Sequence, residues 1–326
     1  INKIEFIFCY DANFGILHRD IQLVEYMSKN KREYSYPKAF SCQNTKNSTM
    51  RIFNIYKTLS DSKLNKGVSL SIQSTNPETL KSIKRENISL DTFNELQEKF
   101  SESGIETFTD VILGLPRETY SSFADGVSNI ISSGQHNRIQ FNNLSILTGS
   151  EMDDPAYLKK YGIVTVNNNL VNIHGSLSDD FEIAEHQRLV IATKAMPKKD
   201  WVNARMFGWM TALLHFDKLI QIPLILLNSK SGVPYRKLIE AFLENEEKHP
   251  VLTEIIDFFR TQAECIQNGG TEFAQSKKWL NIWWPPDELM LIKLCAENKL
   301  SEFYKEAERL IGKFLDRKKV NNCKDI

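Results

Sequence analysis

The chain has 326 residues, enough for two domains or for one large α/β domain with an appendage. It is 41% hydrophobic and 25% charged, ordinary for a globular protein, and its 41 basic and 41 acidic side chains cancel. A balanced charge advertises no face for a polyanion, and the longest apolar run, LIQIPLILL at 219–227, is too short to cross a bilayer, so nucleic-acid and membrane partners are set aside.

The opening INKIEFIF has no basic segment, cleavage site or initiator Met, and a natural start further upstream is expected. Residues 4–10, IEFIFCY, read as a strand, and HRDIQLVEYMSKNKREY as a helix. A second strand ends in KAFSCQNTKN (38–47), and STMRIFNIYKTLSDSKL is helical up to Gly67. VSLSIQS (68–74) is the third strand. LDTFNELQEKFSESG follows, a helix with Phe93, Leu96 and Phe100 on one face and Gly104 as its stop. The strand IETFTDVILG, the helix SFADGVSNIISSG and a fifth strand, RIQFNNLSIL (138–147), complete an alternation with short connections. Such alternation predicts parallel strands with right-handed crossovers.

Past residue 148 the pattern changes. IVTVNNNLVNIHG (163–175) reads as a hairpin turning at its Asn run. From about 180 onward nearly everything reads as helix: 180–195, 199–219, 234–247, 250–267, 287–297 and 300–317. A domain boundary is placed near 178, within GSLSDD, giving an α/β domain over 1–178 and a mainly helical domain over 179–326. The aromatic run WLNIWWPPDELM (279–290) reads as an anchor for the helical tail. Cys9, Cys42, Cys265, Cys295 and Cys323 are scattered and odd in number, which fits neither a zinc ribbon nor a disulfide framework. They read as free thiols of a reducing cytoplasm.

Ligands of parallel α/β sheets bind at the carboxyl ends of the strands. Those ends carry Asp11 and Asn13, then Asn44, Lys46 and Asn47, then Gln73 and Ser74, then Asp110 and Gly114, then Thr148 and Gly149. All suit a hydroxylated, zwitterionic ligand, although loop ends are polar in any case. Arg85 follows a turn and short helix that can fold it back toward Gln73, where its fork would hold a carboxylate; a surface ion pair with Glu78 or Glu86 explains it as well. Asp110 would accept from ribose hydroxyls or an amine, or else cap or pair within the core. Gly114 admits a flat base close to the backbone.

SLSIQSTNPETLKSIKR followed by DVILGLPRET resembles the radical S-adenosylmethionine enzymes, in particular the branch with an upstream cobalamin-binding domain. FCYDANFGILHRD, KAFSCQNTKN and GQHNRIQFNNLSILTGSEM resemble further strand-and-loop units of that branch, so the likeness is good over residues 4–165 and thins toward 215. The resemblance implies a partial (β/α) barrel with parallel strands, a [4Fe–4S] cluster and S-adenosylmethionine at the strand ends. It also implies either cleavage to a 5′-deoxyadenosyl radical or methyl transfer through cobalamin. By position it assigns Gln73 and Asp110 to the ribose, Arg85 to the methionine carboxylate, Ile112 and Gly114 to the adenine, with Ser74 among the cofactor-binding residues. Asp11 and Asn13 fall at the methionine amino group, with Lys46 and Asn47 nearby. It further implies a small-molecule substrate and an electron donor such as flavodoxin or ferredoxin.

The chain departs from that pattern. The CxxxCxxC loop that supplies three thiolates to the cluster is absent, and IEFIFCY matches the second strand of the family, not the first. The expected account is a catalytic-core fragment whose first strand, cluster loop and cobalamin domain lie upstream, inactive by itself. Two alternatives stay open: a cluster-free nucleoside-binding module, and an unrelated α/β-barrel hydrolase or lyase using His18, His136 or His174 with Asp11. No HxH or HExxH spacing supports the last. GLPRET also replaces the usual GLPGET, placing Arg117 where the family has glycine.

Overall fold

The computed structural model describes residues 3–44, 50–65, 67–85, 88–177 and 185–318. In chain order its elements are β1 (Phe6–Phe14), α1 (Arg19–Tyr34), β2 (Ala39–Asn44), α2 (Met50–Asp61), β3 (Gly67–Ser69), α3 (Pro77–Ser82), α4 (Leu90–Glu102), β4 (Glu106–Leu113), α5 (Tyr120–Ser132), β5 (Arg138–Asn143) and β6 (Ser145–Ile146). There follow α6 (Pro155–Tyr161), β7 (Val164–Asn169), β8 (His186–Ala192), α7 (Lys198–Thr211), α8 (Gln221–Ser231), α9 (Tyr235–Glu244), α10 (Pro250–Gln267), β9 (Ala274–Ser276), β10 (Ile282–Trp284), α11 (Pro286–Ala296) and α12 (Leu300–Lys318). The described strands form the sheets β1-β2, β3-β4-β5, β6-β8-β7 and β10-β9. The backbone groups into two compact units: 1–75 with 84–111 and 133–140, and 76–83 with 112–132 and 141–326. The boundary expected near 178 falls on residues outside the described set.

In the first unit β1 and β2 run parallel, with Phe6 opposite Ala39 and Cys9 opposite Cys42. β3 and β4 are parallel too, from the Gly67–Glu106 pair to the Ser69–Phe108 pair. α2 buries Ile52, Ile55, Tyr56 and Leu59, a spacing that repeats at helical period and makes one apolar stripe. Each such side chain contributes about 1.5–3 kcal/mol when fully covered. The Ser89 side chain caps α4 by accepting from the Thr92 amide. β4 alternates strictly: Thr107, Thr109 and Val111 are buried, while Phe108 and Asp110 face the other way. Gln97 and Gln135 donate to the Thr107 and Thr109 hydroxyls at 2.6 and 2.8 Å, so both buried hydroxyls on that face are paired.

The second unit corrects two sequence expectations. Residues 186–192 are not helix but β8, which pairs antiparallel with both β6 and β7. Residues 163–175 do not fold on themselves as a hairpin; β7 instead takes β8 as its partner, from Val164–Ala192 to Asn169–His186. The segment HQRLVIA buries Leu189 to Ala192 consecutively, because a strand covered on both faces loses its alternating signal. The helices of this unit enclose Trp201, Phe207, Leu213, Phe242, Phe259, Met290 and Phe303. Arg205 is 5% exposed among them. It donates to the Phe141 carbonyl at 2.7 Å and lies over the Trp209 ring. Burial lowers its pKa, against the raising influence of Glu272 and Asp287. The aromatic run supplies β10, which pairs antiparallel with the preceding β9, and the Trp284 indole donates to the Trp279 carbonyl at 3.0 Å. No single described helix is long and apolar enough to cross a membrane.

Candidate functional site

The β3–β4 ladder is interrupted where the site begins. After the Ser69–Phe108 pair the next bridge joins Gln73 to Val111, so four steps along one strand oppose three along the other. That extra residue is a bulge, which bends a strand and re-aims its side chains. Gln73 closes it with φ 67°, the left-handed region that a non-glycine residue enters at a cost. Its amide still reaches the Asp110 carbonyl at 2.9 Å. Ser69 and Ser71, two residues apart, both turn onto Asp110: their hydroxyls donate to Oδ2 at 3.0 and 2.6 Å, and the two hydroxyls lie 3.0 Å from each other. Asp110, in a strand that is otherwise largely buried, is therefore hydrogen-bonded by its own sheet.

A second layer stands behind the serines. Asn44, at the end of β2, donates its side-chain amide to the Ser69 carbonyl at 3.0 Å. The Tyr56 hydroxyl, from α2, donates to the Asn44 Oδ1 at 3.2 Å, and the Cys42 sulfur lies 3.6 Å from that hydroxyl. Burial pushes the Cys42 thiol up to about 11, and burial with the nearby Cys42 raises Tyr56, so both stay protonated donors at neutral pH. Neither serine, Tyr56 nor Cys42 had been singled out as a site residue. A serine on a strand carries no distinctive signal, and the bulge that aims them is invisible in the sequence.

Asp11 and Asn13 lie where the β1–β2 register breaks, between the Cys9–Cys42 and Phe14–Asn44 pairs. Both are exposed, and Asp11 accepts from the Asn13 amide at 2.9 Å. The turn beyond them is pinned by Asp20, a buried acid missed in the sequence, which accepts from the Gly15 and Leu17 amides at 2.8 and 3.1 Å. Ser74 is buried and Arg85 half-buried, and desolvation lowers the Arg85 pKa. Lys46 and Asn47 lie outside the described residues.

In the second unit, Ile112 packs on a cluster of Leu115, Leu144, Ile146 and Val190. Gly114 has φ 92°, and a Cβ there would come within 3.4 Å of Val190. Arg117 is also left-handed, at φ 65°, and its guanidinium pairs with Glu78 in solvent. Gly149 donates to Asp153 at 3.1 Å beside an open surface depression of about 600 Å³. His174 contacts Glu288 at 2.7 Å, and burial lowers the His136 pKa. Among the described residues no three His, Cys, Asp or Glu side chains gather as a metal site.

Comparison with known proteins places the chain in a family. Over 240 residues, 73% of this chain and 35% of the relative, the sequence is 34% identical to the cobalamin-dependent radical SAM methyltransferase TokK of Streptomyces tokunonensis. The chain belongs with the cobalamin-dependent radical S-adenosylmethionine enzymes. A second relative, the 2-(S-pantetheinyl)-carbapenam-3-carboxylate methyltransferase of Streptantibioticus cattleyicolor, is 35% identical over 213 residues, covering 65% of the chain and 30% of the relative. The chain thus spans about a third of the length of these two relatives. No family model matches. A solved structure, the radical S-adenosylmethionine methyltransferase TsrM of Kitasatospora setae with tryptophan and a cofactor analogue, aligns at a TM-score of 0.41 and 11% identity, covering 61% of this chain and 41% of that one.

Proposed function

We propose that this chain is the S-adenosylmethionine-binding part of the catalytic core of a cobalamin-dependent radical methyltransferase acting on a small molecule. The observation that carries the reading is the Asp110 carboxylate, held by Ser69 and Ser71 at the carboxyl end of β4. An acceptor fixed in advance beside a left-handed Gln73 suits a vicinal diol such as ribose. In this reading Gln73, Ser74 and Asp110 take the ribose, Arg85 the methionine carboxylate, and Asp11 and Asn13 the amino group. Ile112 and Gly114 are assigned to the adenine, and Lys46 and Asn47, which lie outside the described residues, to the same cofactor. The parallel strands then belong to a partial (β/α) barrel.

A bound cluster would supply the electron that activates S-adenosylmethionine, and cobalamin would carry the methyl group. The donor set present here does not fit a cluster, because the described cysteines are four separate free thiols. Thiolates for the cluster and the cobalamin site are assigned to segments outside this sequence. The exposed Phe6, Phe8 and Tyr10 of β1, with Tyr10 91% exposed, support such a neighbour packing on that strand. A flavodoxin or ferredoxin in the cytoplasm is the proposed electron source. This chain by itself is proposed to be inactive.

The test is calorimetry with S-adenosylmethionine. Losing a charge-assisted contact costs about 1.5–3 kcal/mol, so Arg85→Ala and Asp110→Ala should each weaken binding by roughly ten- to a hundredfold. Unchanged affinity in both would reject the assignment.

A further inference from the structure

We infer that Ser71 and Ser69, backed by Asn44 and Tyr56, are positioning residues that set the orientation of the Asp110 carboxylate toward a ribose. The inference rests on the proposed adenosyl site. It adds Ser69, Ser71 and Tyr56, which the strand-end reasoning does not name, and gives Asn44 a role.

The hydrogen count supports it. Each serine hydroxyl has one proton, and three contacts join Ser69, Ser71 and Oδ2 of Asp110. At 2.6 Å the Ser71 proton goes to the carboxylate. Ser69 either donates to the same oxygen or donates to Ser71 and strengthens its bond. In both arrangements the Ser71 proton holds one side of Oδ2, and in the first the Ser69 proton joins it there. Rotation of the carboxylate about its last torsion, which is otherwise broad, is then restricted.

The serines are themselves held. Tyr56 spends its only proton on Asn44, so the thiol of Cys42 is the donor in their contact. Asn44 in turn donates to the Ser69 carbonyl, at the last regular pair before the bulge. A directional chain therefore runs from Cys42 through Tyr56 and Asn44 to the backbone that presents Ser69. The bulge supplies the geometry: the residue it adds lets Ser71 and the Gln73 amide meet the side chain and the carbonyl of the same Asp110.

The experiment measures binding of adenosine and of 2′,3′-dideoxyadenosine to the full chain, with each variant's melting curve recorded. The parent should prefer adenosine by about tenfold, the scale of one good hydrogen bond to a charged group. Asp110→Ala should erase that preference. Ser71→Ala should cut it to about threefold while leaving dideoxyadenosine affinity unchanged, Ser71→Thr should restore it, and Tyr56→Phe should give a smaller loss of the same kind. A parent without preference, or an Asp110→Ala variant that keeps it, overturns the ribose reading and the inference with it. If Asp110→Ala loses the preference while Ser71→Ala and Tyr56→Phe both retain it, the site stands and the positioning role falls. Equal weakening of both ligands by Ser71→Ala overturns the inference as well, since a purely structural serine would do that.

Discussion

Arg117 occupies a backbone conformation that suits glycine. Its φ of 65° costs about 1–2 kcal/mol for a side chain with a Cβ. The ion pair with Glu78 that accompanies it is solvent-exposed on both sides and returns about 0–1 kcal/mol. Arg117→Gly should therefore leave stability unchanged or raise it by up to about 1 kcal/mol, read from the urea midpoint at constant slope. A loss of more than about 1 kcal/mol would mean that the ion pair outweighs the strain. Cys42 makes a second residue-scale prediction. Its folded pKa of about 11 lies above the ordinary value of 9.0. Below pH 9 the thiol is protonated in both states and its contribution is fully present. Between about pH 9 and 11 the unfolded thiol ionises first, the unfolded state is favoured, and stability falls by up to about 2 kcal/mol. Tyr56, also raised, acts in the same direction at higher pH. Urea melts at pH 8, 9, 10 and 11 should show the decline, and Cys42→Ala should flatten it between 9 and 11.

Glu306 sits on α12 yet completes α10. It is buried, and its two oxygens accept from the Val251 and Leu252 amides at 3.1 and 3.0 Å, the first turn of a helix that begins at Pro250. Those amides have no partner within their own helix, and a carboxylate there also meets the positive end of the helix dipole. Glu306→Ala should destabilise the chain by about 1–3 kcal/mol, with the earliest loss of amide-exchange protection at the start of α10. Glu306→Gln should cost less, because one amide oxygen remains as acceptor. At this scale much was legible in the sequence. Helices α1, α2, α4, α5 and α9 to α12 follow from apolar spacing and from stops such as Gly104. The strand β8 was not, since four consecutive apolar residues fit a buried helix or a strand covered on both faces equally. Within the site Asp110 stood out as an acid in an alternating strand. Ser69 and Ser71 did not, because their role depends on one extra residue in the ladder and on a left-handed Gln73, neither of which has a composition signal.

Across the whole chain the cysteines set the limit on chemistry. Cys9 and Cys42 face each other across β1 and β2, while Cys265 and Cys295 are exposed on α10 and α11. Three thiolates in one loop are needed for a cluster with an open iron. Anaerobic reconstitution of residues 1–326 with iron and sulfide should leave sub-stoichiometric metal and no S-adenosylmethionine cleavage. Retention of a stoichiometric cluster would show that these cysteines can converge. The aromatic row of β1 has a further consequence, for the handling of the molecule. Phe6, Phe8 and Tyr10 project from a strand whose described ladder is with β2 alone, so a template for intermolecular pairing faces solvent. Preparations of this stretch of sequence should grow turbid with concentration, and a lysine in place of Phe8 should delay the onset.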